Sequence, residues 1–176
     1  MKQINWKDID EAQEFARPGA GGYVCHIVDV EDVPDKEYLL VYLDIAEGEF
    51  KDYGKKYEES TGQSWGYQRM YRSYKEKALN FFAAFLGDLE RSNPGKFTKA
   101  GFDGDEQKLI GLSLGVVLGQ EEYEKQDGSI GVRTAVKQLT TPQKIHDGDF
   151  KIPAMKKMDR PAIQQPEAIN DADLPF

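Results

Sequence analysis

One long apolar helical stripe, set among segments patterned as strands, constrains this 176-residue chain more than any other feature. Ala78, Leu79, Phe82, Phe85, Leu86 and Leu89 recur at three and four residues, the spacing that lines one face of an α-helix. Ser73 and Glu76 stand ahead of the stripe at capping-box spacing. Ser92, Asn93, Pro94 and Gly95 stop it. Such a helix must bury its stripe, and the segments on either side predict a sheet to bury it against.

Residues 23–30 are β-branched and apolar, and residues 38–45 alternate. Leu39, Val41, Leu43 and Ile45 make one apolar face of the second segment, with Tyr38, Leu40 and Tyr42 on the other. Pro34 and Asp35 between the two segments predict a hairpin. Residues 47–63 read as a long polar connection with Gly48, Gly54 and Gly62, a candidate flap over a ligand. A third strand lies within residues 64–77 and hands over to the helix at Ser73. Residues 109–119 form the fourth strand, with Gly111, Ser113, Gly115 and Gly119 on one face, where another backbone or ring can approach closely. Asp127 and Gly128 predict a hairpin turn into a fifth strand at 130–138. A helix between the third and fourth of five strands is the element order of the Greek-key OB barrel, a fold that binds oligonucleotides across its second and third strands. The expected architecture is therefore mainly β. It comprises a lead-in with a short helix at 1–20, an OB-fold domain at 21–146, and a flexible tail at 147–176 that is rich in proline and acids.

The third strand carries the chemistry. Trp65, Tyr67, Arg69 and Tyr71 fall two apart and share a face if the strand is regular. Arg72, Tyr74, Lys75 and Lys77 follow at once. Rings interleaved with cations suit a single nucleic-acid strand, because bases stack on the rings and phosphates meet the charges. Core aromatics of an ordinary sheet are the competing reading. Lys55, Lys56 and Tyr57 of the connection, and Arg133 of the fifth strand, are further candidate contacts; Arg133 and Lys137 extend the basic face if the fifth strand lies near the third. Residues 53–77 hold six cations against three acids, a basic island in a chain of net charge −8. A duplex-DNA binder is usually basic overall, so the island points to local, salt-sensitive binding of phosphates.

Other classes find less support. No apolar run approaches the ~20 residues of a membrane span, residues 1–6 lack an apolar signal core, and the lone Cys25 fits a reducing cytoplasm. The only histidines are His26 and His146, and His26 beside Cys25 reads as strand packing rather than a nucleophilic dyad. Asp103, Asp105 and Glu106 read as solvated acids rather than a metal site or the acids of an OB-type hydrolase. No phosphate-binding loop or zinc spacing is present. A non-enzymatic protein without metal or cofactor is expected.

The chain ends Asn170-Asp171-Ala172-Asp173-Leu174-Pro175-Phe176. Asp171, Asp173, Leu174, Pro175 and Phe176 resemble the acidic tip of bacterial single-stranded DNA-binding proteins, with Ala172 interrupting the acids. The body is similar to a family of phage-encoded proteins found among early replication and recombination genes. That similarity is carried by Gly21-Gly22-Tyr23-Val24, Ile45-Ala46-Glu47-Gly48-Glu49-Phe50, Arg72-Ser73-Tyr74-Lys75 and Gly148-Asp149-Phe150-Lys151. Together the resemblances imply a phage protein that binds single-stranded DNA in the host cytoplasm, as a monomer or as a homodimer or homotetramer. They further imply that the tip recruits replication or recombination partners. The alternative is an adaptor whose barrel and tip each grip a protein; a mobility shift with oligo-dT separates the two.

Overall fold

The computed structural model describes residues 16–65 and 69–159. Within them, five antiparallel strands form one sheet. They are β1 (Gly21–Val33), β2 (Tyr38–Ile45), β3 (Arg69–Ser73), β4 (Ser113–Glu124) and β5 (Ile130–Thr140), in the spatial order β3-β2-β1-β4-β5. Three helices accompany the sheet: α1 (Tyr53–Thr61), α2 (Leu79–Ser92) and α3 (Pro142–His146). The sheet is not closed by hydrogen bonds among the described residues, so β3 and β5 are its edges. The short helix expected in residues 1–20 falls outside the described residues up to residue 15.

The β1–β2 hairpin forms as its pattern predicts. A 3-10 turn at Pro34–Lys36 joins the strands, and Glu37 closes it in the left-handed region at φ 56°. Leu39, Val41, Leu43 and Ile45 of β2 are buried, as are Ile27 of β1 and Leu114, Val116 and Leu118 of β4. Phe85, Leu86 and Leu89 of α2 join the same core with Phe82 packed against it, so the later part of the stripe covers the sheet, whereas Leu79 is 49% exposed and Ala78 precedes the helix. Burying each such side chain contributes about 1.5–3 kcal/mol. Asn93 then ties the end of α2 to the start of β4. Its amide nitrogen donates to the carbonyls of Leu89 (2.8 Å) and Ser113 (2.9 Å), and its oxygen accepts from Ser113 N (2.8 Å).

Three local expectations change. First, α2 does not start at Ser73. That residue ends β3, its hydroxyl accepts from Lys75 N at 3.3 Å rather than from Glu76, and a 3-10 turn at Glu76–Ala78 precedes the helix. Pairing of Ser73 with Tyr38 keeps the chain extended there. Second, much of the long connection is helical, as α1. Its start is held by Asp44, a buried residue of β2, which accepts from Gly54 N (2.8 Å), Lys55 N (2.9 Å) and its neighbour Ile45 N (2.8 Å). The cap comes from another element, whereas Asp52 at the local N-cap position makes no side-chain cap hydrogen bond. Third, residues 147–159 run against the sheet. Lys156 forms a parallel bridge beside Glu121, donating to Gln120 O (3.1 Å) and accepting from Glu122 N (2.9 Å), on the edge of β4 beyond the end of β1. The rest of the expected tail, residues 160–176, lies outside the described residues.

Glycine allows the tail segment to dock. The Phe150 ring lies over Gly22, where any Cβ would overlap the ring. Two of the sequence patterns quoted above thus meet in space. Gly115 likewise leaves room for the Thr141 carbonyl at the entry to α3. Gly22→Ala should displace Phe150, cost about 1–3 kcal/mol as overpacking does, and lower the melting temperature by roughly 2–12 °C, read by thermal denaturation.

Candidate nucleic-acid interface

Pairing of β3 with β2 fixes which side chains of β3 face out. Tyr42 lies opposite Arg69, Leu40 opposite Tyr71 and Tyr38 opposite Ser73, while Val41 and Leu39 lie opposite Met70 and Arg72. The buried residues Val41 and Met70 mark the inner face. Arg69 and Tyr71 therefore share the outer face with Tyr38 and Tyr42. Tyr71 is 56% exposed, and its ring meets that of Tyr38 edge-on at 5.3 Å. Arg72 turns inward. Its guanidinium lies 5.4 Å from the centre of the Phe85 ring, with Nη1 donating to Tyr71 O (3.3 Å) and Nη2 to Met70 Sδ (3.2 Å). Its Nε is buried without a hydrogen-bond partner among the described residues. Burial pushes the Arg72 pKa down, against the counter-pull of Asp88.

Trp65 precedes β3 and is half-buried, its indole edge-on to the Tyr53 ring at 4.6 Å. It joins a cluster in which Tyr53 also meets Phe50 (6.1 Å) and stacks on Tyr57 (6.1 Å). Tyr67 lies outside the described residues.

The edges β3 and β5 face one another across a cleft of about 900 Å³. Trp65, Arg69, Met70, Tyr71 and Arg72 line one side, and Val132 to Val136 of β5, with Gln120, Glu121 and Tyr123 of β4, line the other. Arg17, Pro18 and Gly19 complete it. Among the described residues, four arginines (Arg17, Arg69, Arg72, Arg133) and three rings (Trp65, Tyr71, Tyr123) thus share one cavity with a single acid, Glu121. The Arg133 guanidinium lies 5.5 Å from the centre of the Tyr123 ring, a cation–π contact. Its Nε donates to Glu121 at 2.7 Å, and the Lys137 ammonium donates to the other oxygen of the same carboxylate. Lys137 first and Arg133 second hold the Glu121 carboxyl below the usual carboxylate range.

The cleft brings Trp65, Arg69, Tyr71, Arg72 and Arg133 together, from two separate stretches of sequence. The other candidates lie elsewhere. Lys56 and Tyr57 line a second, smaller cavity of about 410 Å³ beside α1, with Phe50, Lys51 and Tyr53, and Lys55 is exposed on the same helix. The Tyr74 hydroxyl donates to Asp32 at 2.8 Å and its ring meets Phe82 edge-on at 6.2 Å, so it fastens the end of β3 to β1 and α2. The carboxylate of Asp32 raises the Tyr74 pKa to about 12. Lys75 and Lys77 are exposed at the 3-10 turn beyond the cleft.

Arg17 and Tyr123 are cleft residues that sequence reasoning passed over. Arg17 falls in the lead-in at 1–20, which carried no candidate contact. Tyr123 carried a usable signal: counting back from the Asp127-Gly128 turn pairs Tyr123 with Gly131 and Glu121 with Arg133, which puts Tyr123 and Arg133 on one face.

Several groups have structural partners. Asp103 pairs with Lys108 at 2.5 Å, and Asp105 accepts from Gln107 N at 3.1 Å. No cluster of three or more metal-ligating side chains occurs among the described residues. Cys25 is fully buried, and burial with the nearby Asp44 pushes its thiol up to about 12, far from a nucleophile's range. No described helix is long and apolar enough to cross a membrane. No protein-family profile matches the chain, and no curated protein matches it.

Proposed function

We propose that this chain is a sequence-tolerant single-stranded DNA-binding protein and that the strand lies in the cleft between β3 and β5. The observation that carries this reading is the composition of the cleft: three exposed arginines (Arg17, Arg69 and Arg133), with Arg72 turned inward beside them, and three rings, against one carboxylate among the described residues. Guanidinium groups take phosphates bidentately. Any base offers a π-face to a ring, so stacking tolerates sequence. The exposed ring of Tyr71, with Arg69 beside it on the outer face, is the natural start of the track. Tyr38 and Tyr42 widen it on β2.

The same reading takes the five strands as an OB-type Greek-key barrel, open at the β3–β5 seam. The strand order, the helix between β3 and β4, and the shared cleft of the two edges all support it. Such barrels bind oligonucleotides on the second and third strands, where Tyr38, Tyr42, Arg69 and Tyr71 stand here. The tip, Asp171, Asp173, Leu174, Pro175 and Phe176, would recruit protein partners in phage replication or recombination, its ring entering an apolar pocket and its carboxylates meeting cations.

The test is a fluorescence-anisotropy titration of labelled oligo-dT. Wild type should bind with an affinity that falls steeply with salt. Tyr71→Ala should weaken binding by about 1–3 kcal/mol, the usual worth of one base–ring stack. Unchanged affinity in a folded Tyr71→Ala variant would remove the outer face of β3 from the interface.

A further inference from the structure

Among the described residues that line the cleft, Glu121 is the one acid, set beside four arginines. It is held there by the fold. Pairing of β4 with β5 sets it directly opposite Arg133. Its side chain is only 16% exposed, and both carboxylate oxygens are engaged, one by Arg133 Nε at 2.7 Å and the other by the Lys137 ammonium. A carboxylate bridging a guanidinium and an ammonium presents two anionic oxygens where a phosphate diester would present its own. The Arg133 side chain is 61% exposed and faces the cleft, so a strand entering the cleft meets a cation that is already neutralised.

We propose that Glu121 is an internal stand-in for a backbone phosphate, exchanged for one when single-stranded DNA enters, and that it sets the affinity and the salt dependence of the site. This rests on the reading of the cleft as the DNA site. In the unliganded protein the carboxylate keeps Arg133 and Lys137 ordered and compensates their charge. In the complex a phosphate takes over part of that role, and the displaced or crowded carboxylate opposes binding. Replacing the carboxylate by an amide of the same shape removes the competing charge and leaves two more cations for phosphates.

The experiment is the oligo-dT titration with wild type, Glu121→Gln, Arg133→Ala and the double variant, at several salt concentrations, with thermal melts as a control for folding. Glu121→Gln should tighten binding by about 3–10-fold near 0.1 M salt. It should also steepen the log–log salt slope by roughly 0.7 for each additional phosphate contact. Arg133→Ala should cost about 2-fold in wild type and about 10-fold in the Glu121→Gln background, because only there is the guanidinium uncompensated. Weaker binding by Glu121→Gln, with no further loss from Arg133→Ala, would overturn the proposal and make Glu121 a positioning residue for Arg133. Unchanged binding would also overturn it. If Glu121→Gln fails to fold, Glu121→Ala carries the same expectations. Wild-type binding weakened by Tyr71→Ala preserves the cleft assignment whatever Glu121 does; absence of wild-type binding removes the assignment itself.

Discussion

Arg69→Glu combined with Arg133→Glu is expected to lower the affinity for oligo-dT by about 100-fold or more at 50 mM salt, with the fold retained and a modest fall in melting temperature, because a carboxylate at position 133 stands opposite Glu121. Both guanidinium groups line the cleft, one from each edge of the sheet, and both residues are exposed. Exposed charges contribute little to stability but much to phosphate binding. Each phosphate contact on a single strand contributes roughly 0.7 to the log–log salt slope; the reversal at Arg69 replaces attraction by repulsion, and the one at Arg133 leaves Glu121 without its guanidinium and adds a second carboxylate beside it. The deficit should therefore shrink as salt rises, since screening weakens both the lost attraction and the new repulsion. Anisotropy titrations at rising salt measure this directly. A deficit that does not depend on salt would mean that the strand contacts neither arginine.

Asp44→Ala is expected to be the most damaging single change to stability. The buried carboxylate accepts three backbone N–H groups, two of them at the start of α1. Each buried donor left without a partner costs about 1–3 kcal/mol, so the sum is roughly 4 kcal/mol. For a chain of this size that corresponds to a fall of about 8–16 °C in melting temperature. Because α1 carries Tyr53, against which Trp65 packs, the variant should also change the fluorescence of Trp65. Asp44→Asn should recover part of the loss, since one oxygen remains to accept. A melting temperature within a degree or two of wild type in Asp44→Ala would contradict the role given to this carboxylate.

The elements most legible in the sequence were those whose pattern is local. The alternation of Leu39, Val41, Leu43 and Ile45 gives β2 its apolar face, and the stripe from Leu79 to Leu89 gives the helix that covers the sheet. The glycines of the fourth segment signalled close approach, and the Thr141 carbonyl over Gly115 is such an approach, whereas Gly22 under Phe150 carried no such reading. Helix α1 was hidden because its cap is Asp44, ten residues upstream of Gly54 on a strand, and because Gly54 within it lowers helix propensity. The late start of α2 was hidden because strand pairing of Ser73 with Tyr38 overrides a local capping pattern.

The candidate site was legible only in part for the same reason. Arg69 and Tyr71 share their face by the two-residue period of a strand, which sequence alone supplies. That Arg72 turns under Phe85, that Tyr74 is fastened to Asp32, and that Arg133 stands across the cleft from β3 depend on register and sheet order. Glu121 illustrates the limit most clearly. In sequence it is one acid among several in β4, and only its pairing opposite Arg133 makes it the counter-charge of the cleft.

The most direct measurement of the central claim is photo-crosslinking of the full-length protein to oligo-dT, followed by mass-spectrometric mapping of the attached peptides. Crosslinks should concentrate on Trp65, Tyr71 and Tyr123, the rings that line the cleft between β3 and β5, and should fade with added salt. Crosslinks confined to the α2 face around the exposed Phe81, or none at low salt, would contradict the assignment of this cleft to single-stranded DNA.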